Sequence, residues 1–177
     1  DIQAVTDVLW SPFLTQGPVV PKFEESVCDY VSAKFGVATN SATSALHLAV
    51  RALNLMADDL VWTSPITFVA TANSVHYCGG QVDFVDINPE TFNMCPKALE
   101  RKLEMAAVNG VLPKIVIPVH MAGQSSDMDA IWQLSRKYGF EVIEDASHAI
   151  GAEYKVGRVG SCQYSDITVF SFHPVKI

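Results

Sequence analysis

Four stretches of this chain are apolar almost without interruption, where a strand with one wet face would alternate. They are Leu60-Val-Trp-Thr63, Lys114-Ile-Val-Ile-Pro-Val-His120, Phe140-Glu-Val-Ile-Glu144 and the run from Ile167 to Phe172. Strands of this kind are buried on both faces, and they occur in mostly parallel sheets whose connections lay helices over either side. The segments between them have the helical spacing such connections need. The pattern predicts helices over Phe23 to Phe35, closed by Gly36, and over Thr43 to Leu55, with Leu46, Ala49, Val50 and Leu53 on one face. Further helices are predicted over Phe68 to Tyr77, from Pro96 to about Ala107 with proline at the first helical position, and over Asp127 to Tyr138. Asp1 to Leu9 also enters on a helical pattern, Val37 to Thr39 reads as a short strand, and Gln81 to Asp86 as an alternating one. The fold class is α/β, a mostly parallel sheet with helices on both faces. It contains neither internal repeats nor low-complexity stretches.

With 177 residues, 49% of them hydrophobic, the chain can bury a full core. A chain that ends at Ile177 ends in the middle of a strand-like passage, so residues 1–177 read as an incomplete domain of a longer protein. The net charge of −7 argues against nucleic acid or an anionic membrane as the main partner, since both require a cationic face. No run approaches the roughly 18 to 20 apolar residues of a membrane span. Cys28, Cys78, Cys95 and Cys162 lie far apart with no C-x-x-C pairing, which disfavours a metal site and fits a reducing, cytoplasmic compartment.

In a parallel sheet ligands sit outside the carboxyl ends of the strands, so the polar residues just beyond each strand carry the functional argument. Asn40-Ser-Ala-Thr-Ser-Ala45 runs into a helix, where Ser41 or Thr43 is either an ordinary N-cap or part of an anion site. Asp145 ends the third apolar run; it is a loop acid or a carboxylate placed to pair with a protonated ring nitrogen. His148 is a structural histidine or a catalytic one. Phe68 is a core residue or, beside the crevice, a face on which a planar ring stacks. Ser171, His173 and Lys176 follow the last run, and desolvation beside a buried strand favours the neutral, nucleophilic amine of a lysine. Together an anion cradle, an aromatic face, a carboxylate and a lysine are the parts that hold pyridoxal phosphate (PLP).

At this point the sequence resembles the sugar aminotransferases of the DegT/DnrJ/EryC1/StrS family, within the fold type I (aspartate aminotransferase-like) superfamily. The matching runs are Leu14-Thr-Gln-Gly-Pro18 with Phe23-Glu24, Asn40 to His47, Thr67 to Asn73, Val119-His-Met-Ala-Gly123, Glu144 to Gly151 and Phe170 to Lys176, all in family order. The resemblance implies that Lys176 bonds the cofactor's aldehyde and moves the proton between substrate and cofactor carbons. It implies that Asp145 partners the pyridine nitrogen, that His148 lies near the ring hydroxyl where relatives often have glutamine, and that Phe68 stacks on the ring. Thr43, Ser44 and Ser171 match phosphate ligands.

The family's reaction takes an amino group from glutamate or glutamine and gives it to a nucleotide-linked keto-sugar. Members work as homodimers, and beyond the matched part they complete the large domain and add a small C-terminal one. A 177-residue chain made alone is expected to hold cofactor weakly and to be inactive. Related dehydratases carry histidine in place of the lysine, so Lys176 favours transamination. The Ser-His-Ala-Ile-Gly and Phe-His-Pro-Val-Lys runs are most like transaminases of the pseudaminic acid pathway, which act on a UDP-4-keto-6-deoxy-N-acetylhexosamine. The alternatives are an aminotransferase of another amino-sugar or inosose pathway and a non-catalytic dimerising relative. A doubly wound nucleotide-binding protein would need a glycine-rich turn after the first strand, and Asn40-Ser-Ala-Thr-Ser44 lacks one.

Overall fold

The structure, a computed structural model, describes residues 1–155 and 157–176. The helices are α1 (Ile2–Leu9), α2 (Val19–Val31), α3 (Ala42–Ala52), α4 (Ala70–His76), α5 (Pro96–Asn109) and α6 (Met128–Tyr138). The strands are β1 (Leu60–Thr63), β2 (Gln81–Phe84), β3 (Ile115–Ile117), β4 (Glu141–Asp145), β5 (Glu153–Tyr154), β6 (Gly157–Arg158) and β7 (Ile167–Val169). Five of these form one sheet in the order β2-β1-β3-β4-β7, every pairing parallel. The other two, β5 and β6, pair antiparallel.

Each central strand feeds two cores, because successive side chains point to opposite faces. Trp62, Val116 and Val142 pack with Leu99 and Leu103 of α5 and with Ile131 of α6. Val61, Ile115, Ile117 and Ile143 pack with Leu46 and Val50 of α3 and Val75 of α4. Both faces are therefore covered, as the continuous apolar runs require. The chain steps outward from β1 to β2 and then returns to the other side of β1 for β3. The reversal opens a crevice at the carboxyl ends of the strands.

The boundaries differ from the sequence reading for local reasons. Helix α2 begins four residues before Phe23, because Pro18 takes the N-cap and Pro21 falls in the first turn, where an amide N–H needs no partner. It stops well before Gly36, because Ser32 adopts the left-handed cap conformation (φ 62°) and closes onto the Cys28 carbonyl. The segment Val37 to Thr39 forms no strand. The Glu24 carboxylate accepts the Ala38 N–H at 2.7 Å, which occupies a donor that a ladder would use. Strand β3 ends at Ile117, since Pro118 has no N–H to donate; a single bridge between Val119 and Asp145 then resumes the contact with β4. Strand β7 ends at Val169, three residues short of Phe172. Helix α4 starts at Ala70, after a turn in which the Thr71 N–H bonds the Phe68 carbonyl.

Candidate active site

The last residue of β4 is Asp145, only 4% exposed at the mouth of the crevice. Its Oδ1 accepts from the Ser147 N–H at 3.2 Å and the Ser147 hydroxyl at 2.6 Å, a local turn that also ends the strand. Its Oδ2 accepts from the Thr71 hydroxyl at 2.7 Å. All three contacts are donations, the pattern that suits an ionised carboxylate. Beyond it, Ala146 to Ala149 make a turn that carries His148.

Lys176 lies in a turn of its own, its N–H donating to the His173 carbonyl at 2.8 Å. The turn brings Nζ to 2.6 Å from His148 Nε2 and to 5.6 Å from the centre of the Phe68 ring. Burial pushes the His148 pKa down from its ordinary value and the Lys176 charge pushes it further, while Asp145 pulls partly the other way. A neutral His148 presents an Nε2 lone pair to Lys176 and keeps its proton on Nδ1. Gly123 supports this turn from beneath. Its φ is +87°, and a Cβ there would stand 2.9 Å from the His148 carbonyl oxygen. Phe68 is 65% exposed, so it belongs to the crevice wall and not to a core.

Ser41 caps α3, its hydroxyl accepting the Ser44 N–H at 3.2 Å and lying 3.0 Å from the Ser44 hydroxyl. The cap reading is therefore realised by Ser41. It leaves the Ala42 and Thr43 N–H groups at the open end of the helix. A cleft of about 1190 Å³ is lined by Thr43, Phe68, Asp145, His148, Ser171 and Lys176. Ser44 is set apart from these six, its hydroxyl turned to Ser41 instead. Ser171 is buried and accepts the His173 N–H at 3.4 Å. A helix N-terminus, an aromatic face, a carboxylate surrounded by donors and an amine on one cleft fit a phosphorylated pyridine aldehyde such as PLP.

Two groups of polar residues escape the sequence reading. Thr71 and Ser147, which hold Asp145, are one; Thr67 lies in the turn before α4 and Thr71 in the helix, and no local pattern pairs their hydroxyls. The other is Glu144, which points to the opposite side of the sheet. Its Oε2 accepts from His120 Nε2 at 2.8 Å, and its Oε1 accepts from the Ser165 and Thr168 hydroxyls. His120 Nδ1 accepts the Ser126 N–H, so the ring's proton is on Nε2 and the contact is a hydrogen bond to a carboxylate. Burial alone would raise the Glu144 pKa, but the His120, Ser165 and Thr168 bonds outweigh it and hold the carboxyl below its usual range. Among the described residues no cluster of His, Cys, Asp and Glu is placed to hold a metal ion, and no helix is long and apolar enough to cross a membrane.

The fold and much of the sequence recur in known proteins. The profile of the DegT/DnrJ/EryC1/StrS aminotransferase family matches residues 1–177, and the chain belongs to that family, whose members are PLP-dependent. It is 44% identical over 176 residues to the UDP-4-amino-4,6-dideoxy-N-acetyl-beta-L-altrosamine transaminase of Campylobacter jejuni, covering 99% of this chain and 45% of that protein. Helicobacter pylori PseC, an aminotransferase involved in pseudaminic acid biosynthesis, superposes with a TM-score of 0.88 at 34% identity, over 97% of this chain and 44% of that one. The NtdA protein of Bacillus subtilis with bound cofactor PMP superposes with a TM-score of 0.85 at 34% identity, over 99% of this chain and 38% of that one. The chain thus spans less than half the length of the relatives it matches.

Proposed function

We propose that the protein is a PLP-dependent aminotransferase that moves an amino group from glutamate or glutamine to the keto carbon of a nucleotide-linked sugar. The observation that carries this reading is the meeting of Lys176 Nζ with His148 above the Phe68 ring, on the cleft that Asp145 also faces. Bound PLP supplies an aldehyde that accepts amino groups and a protonated ring that withdraws electrons. Lys176 would hold the aldehyde and, once the incoming amine had released its nitrogen, would serve as the base and acid for the proton at the reacting carbon. Asp145 keeps a proton on the ring nitrogen. His148 accepts a hydrogen bond from Lys176 and would lie on the side of the ring hydroxyl, while Phe68 would offer the face on which the ring stacks. The amides of Ala42 and Thr43, with the Thr43 and Ser171 hydroxyls, hold the phosphate.

The transaminase named for the Campylobacter jejuni relative supports a UDP-linked 4-keto-6-deoxy-N-acetylhexosamine as substrate, and with it a role in surface-glycan amino-sugar synthesis. In this reading residues 1–177 are the N-terminal part of the large PLP-binding domain of a cytoplasmic homodimer.

Borohydride trapping tests the reading directly. The full-length gene product should yield a covalent PLP adduct, and Lys176→Ala should abolish it; an adduct that survives the substitution puts the covalent site elsewhere. Incubating the wild type with glutamate and the UDP-4-keto-sugar should then give the amino sugar, seen by mass spectrometry. A protein that forms the adduct but leaves that sugar unchanged has another keto substrate.

A further inference from the structure

The hydroxyl of Thr71 has one proton and more than one acceptor within reach. It lies 2.7 Å from Asp145 Oδ2, 3.1 Å from the Phe68 carbonyl and 2.7 Å from the Thr67 hydroxyl. Thr71 is fully buried, and the carboxylate it meets is nearly so. A charged acceptor binds a hydroxyl proton about twice as strongly as a neutral one, so the proton belongs to Asp145. Thr71 then accepts, and the Thr67 hydroxyl is its donor. The order of donation runs from Thr67 at the cleft wall through Thr71 to Asp145.

We propose that Thr71 is a positioning residue for the cofactor: with Ser147 it clamps the Asp145 carboxylate from both sides and so fixes the direction in which that group meets the ring nitrogen. Ser147 holds Oδ1 with two bonds, and among the described residues only Thr71 holds Oδ2. Without Thr71 the carboxylate is held at one oxygen alone and is looser about its last torsion, a broad and weakly restrained one. Thr67 acts one step further out, by keeping the Thr71 proton directed at Asp145. This proposal rests on the reading of Asp145 as the partner of the ring nitrogen.

The test compares Thr71→Val, Thr71→Ser, Thr67→Val and Asp145→Asn in the full-length gene product. Its readouts are equilibrium PLP affinity and the pH midpoint of the bound cofactor's visible absorption band. Valine matches threonine in shape but cannot donate. Thr71→Val is expected to lose PLP affinity on the order of ten-fold, the value of one hydrogen bond to a charged group, and to move the midpoint. Thr71→Ser should restore both, and Thr67→Val should show a smaller loss. The proposal is overturned if Thr71→Val lowers the melting temperature while affinity and midpoint stay at wild-type values, or if serine fails to restore them. If Asp145→Asn itself leaves affinity and midpoint unchanged, it is the underlying reading of Asp145 that fails.

Discussion

Glu144 and Asp145 are adjacent acids at the end of the same strand, and the pleat sends them to opposite sides of the sheet. Glu144 faces an interior where its partners are part of the fold: His120 from the segment just past β3, and Ser165 and Thr168 around the start of β7. Asp145 faces the cleft, and its partners Thr71 and Ser147 leave it oriented toward a space the protein does not fill. Burial alone does not separate them, since the two are 5% and 4% exposed. The difference lies in what the remaining lone pairs can meet. Each carboxylate accepts three hydrogen bonds, so the count does not separate them either; Asp145 lines the large cleft, where a ligand can reach it, and Glu144 does not.

The largest effect should come from breaking the inner acid. Glu144→Ala leaves the His120 N–H and two hydroxyls around an empty polar cavity, and should cost about 3–5 kcal/mol of unfolding free energy, since each donor left unpaired costs about 1–3 kcal/mol. Glu144→Gln keeps the shape and one acceptor oxygen and should cost about 1–3 kcal/mol. Urea denaturation measures both. Because its folded pKa is held below the ordinary value, Glu144 contributes stability that is present above its unfolded pKa, about 4.3, and lost as pH falls through the folded one. A wild-type and a Gln variant with equal stability at neutral pH would reduce Glu144 to a spectator.

The same acid-to-amide change one residue later should do the reverse. In Asp145→Asn the amide oxygen can keep both Ser147 bonds, and the amide N–H₂ can donate to Thr71, whose own proton has an alternative acceptor in the Phe68 carbonyl at 3.1 Å. Stability should therefore fall by less than about 1 kcal/mol. PLP affinity and turnover should fall by at least ten-fold, through loss of the charge that holds the ring proton. Equal stability losses in the two amide variants would erase the distinction between the faces.

How much of this was legible in the sequence follows the same division. The central strands could be read because burial on both faces writes itself as continuous apolar runs, and Asp145, His148 and Lys176 stood out by their positions just past those runs. Glu144 did not, because its partner His120 is 24 positions away and nothing in the pattern near either residue announces the other. Thr71 meets Asp145 across 74 positions and reads locally as one more small residue in a helix. Val37 to Thr39 looked like a strand because β-branched composition does not reveal that Glu24 will take the Ala38 N–H. At the start of α3 Ser41 and Thr43 offered equivalent caps, and only the backbone geometry selects Ser41.

The smallest effect is expected at His148, which belongs to the open face but touches Lys176 and not the inner network. Its folded pKa lies below the ordinary histidine value, so as pH falls the unfolded chain takes up the proton first. The corresponding stability is complete above the unfolded pKa of about 6.5 and is lost as pH falls from there toward the folded value. Glutamine does not titrate, and its side-chain oxygen can still accept from Lys176 Nζ. His148→Gln should therefore flatten the dependence of stability on pH just below the unfolded pKa of about 6.5, slightly because solvent screens this partly exposed site, and leave the acid limb that belongs to Glu144 intact. Thermal melts of both proteins across that range decide the matter. An acid limb that shifts together with the His148 window would mean that the two faces of the sheet are coupled through the strand that separates them.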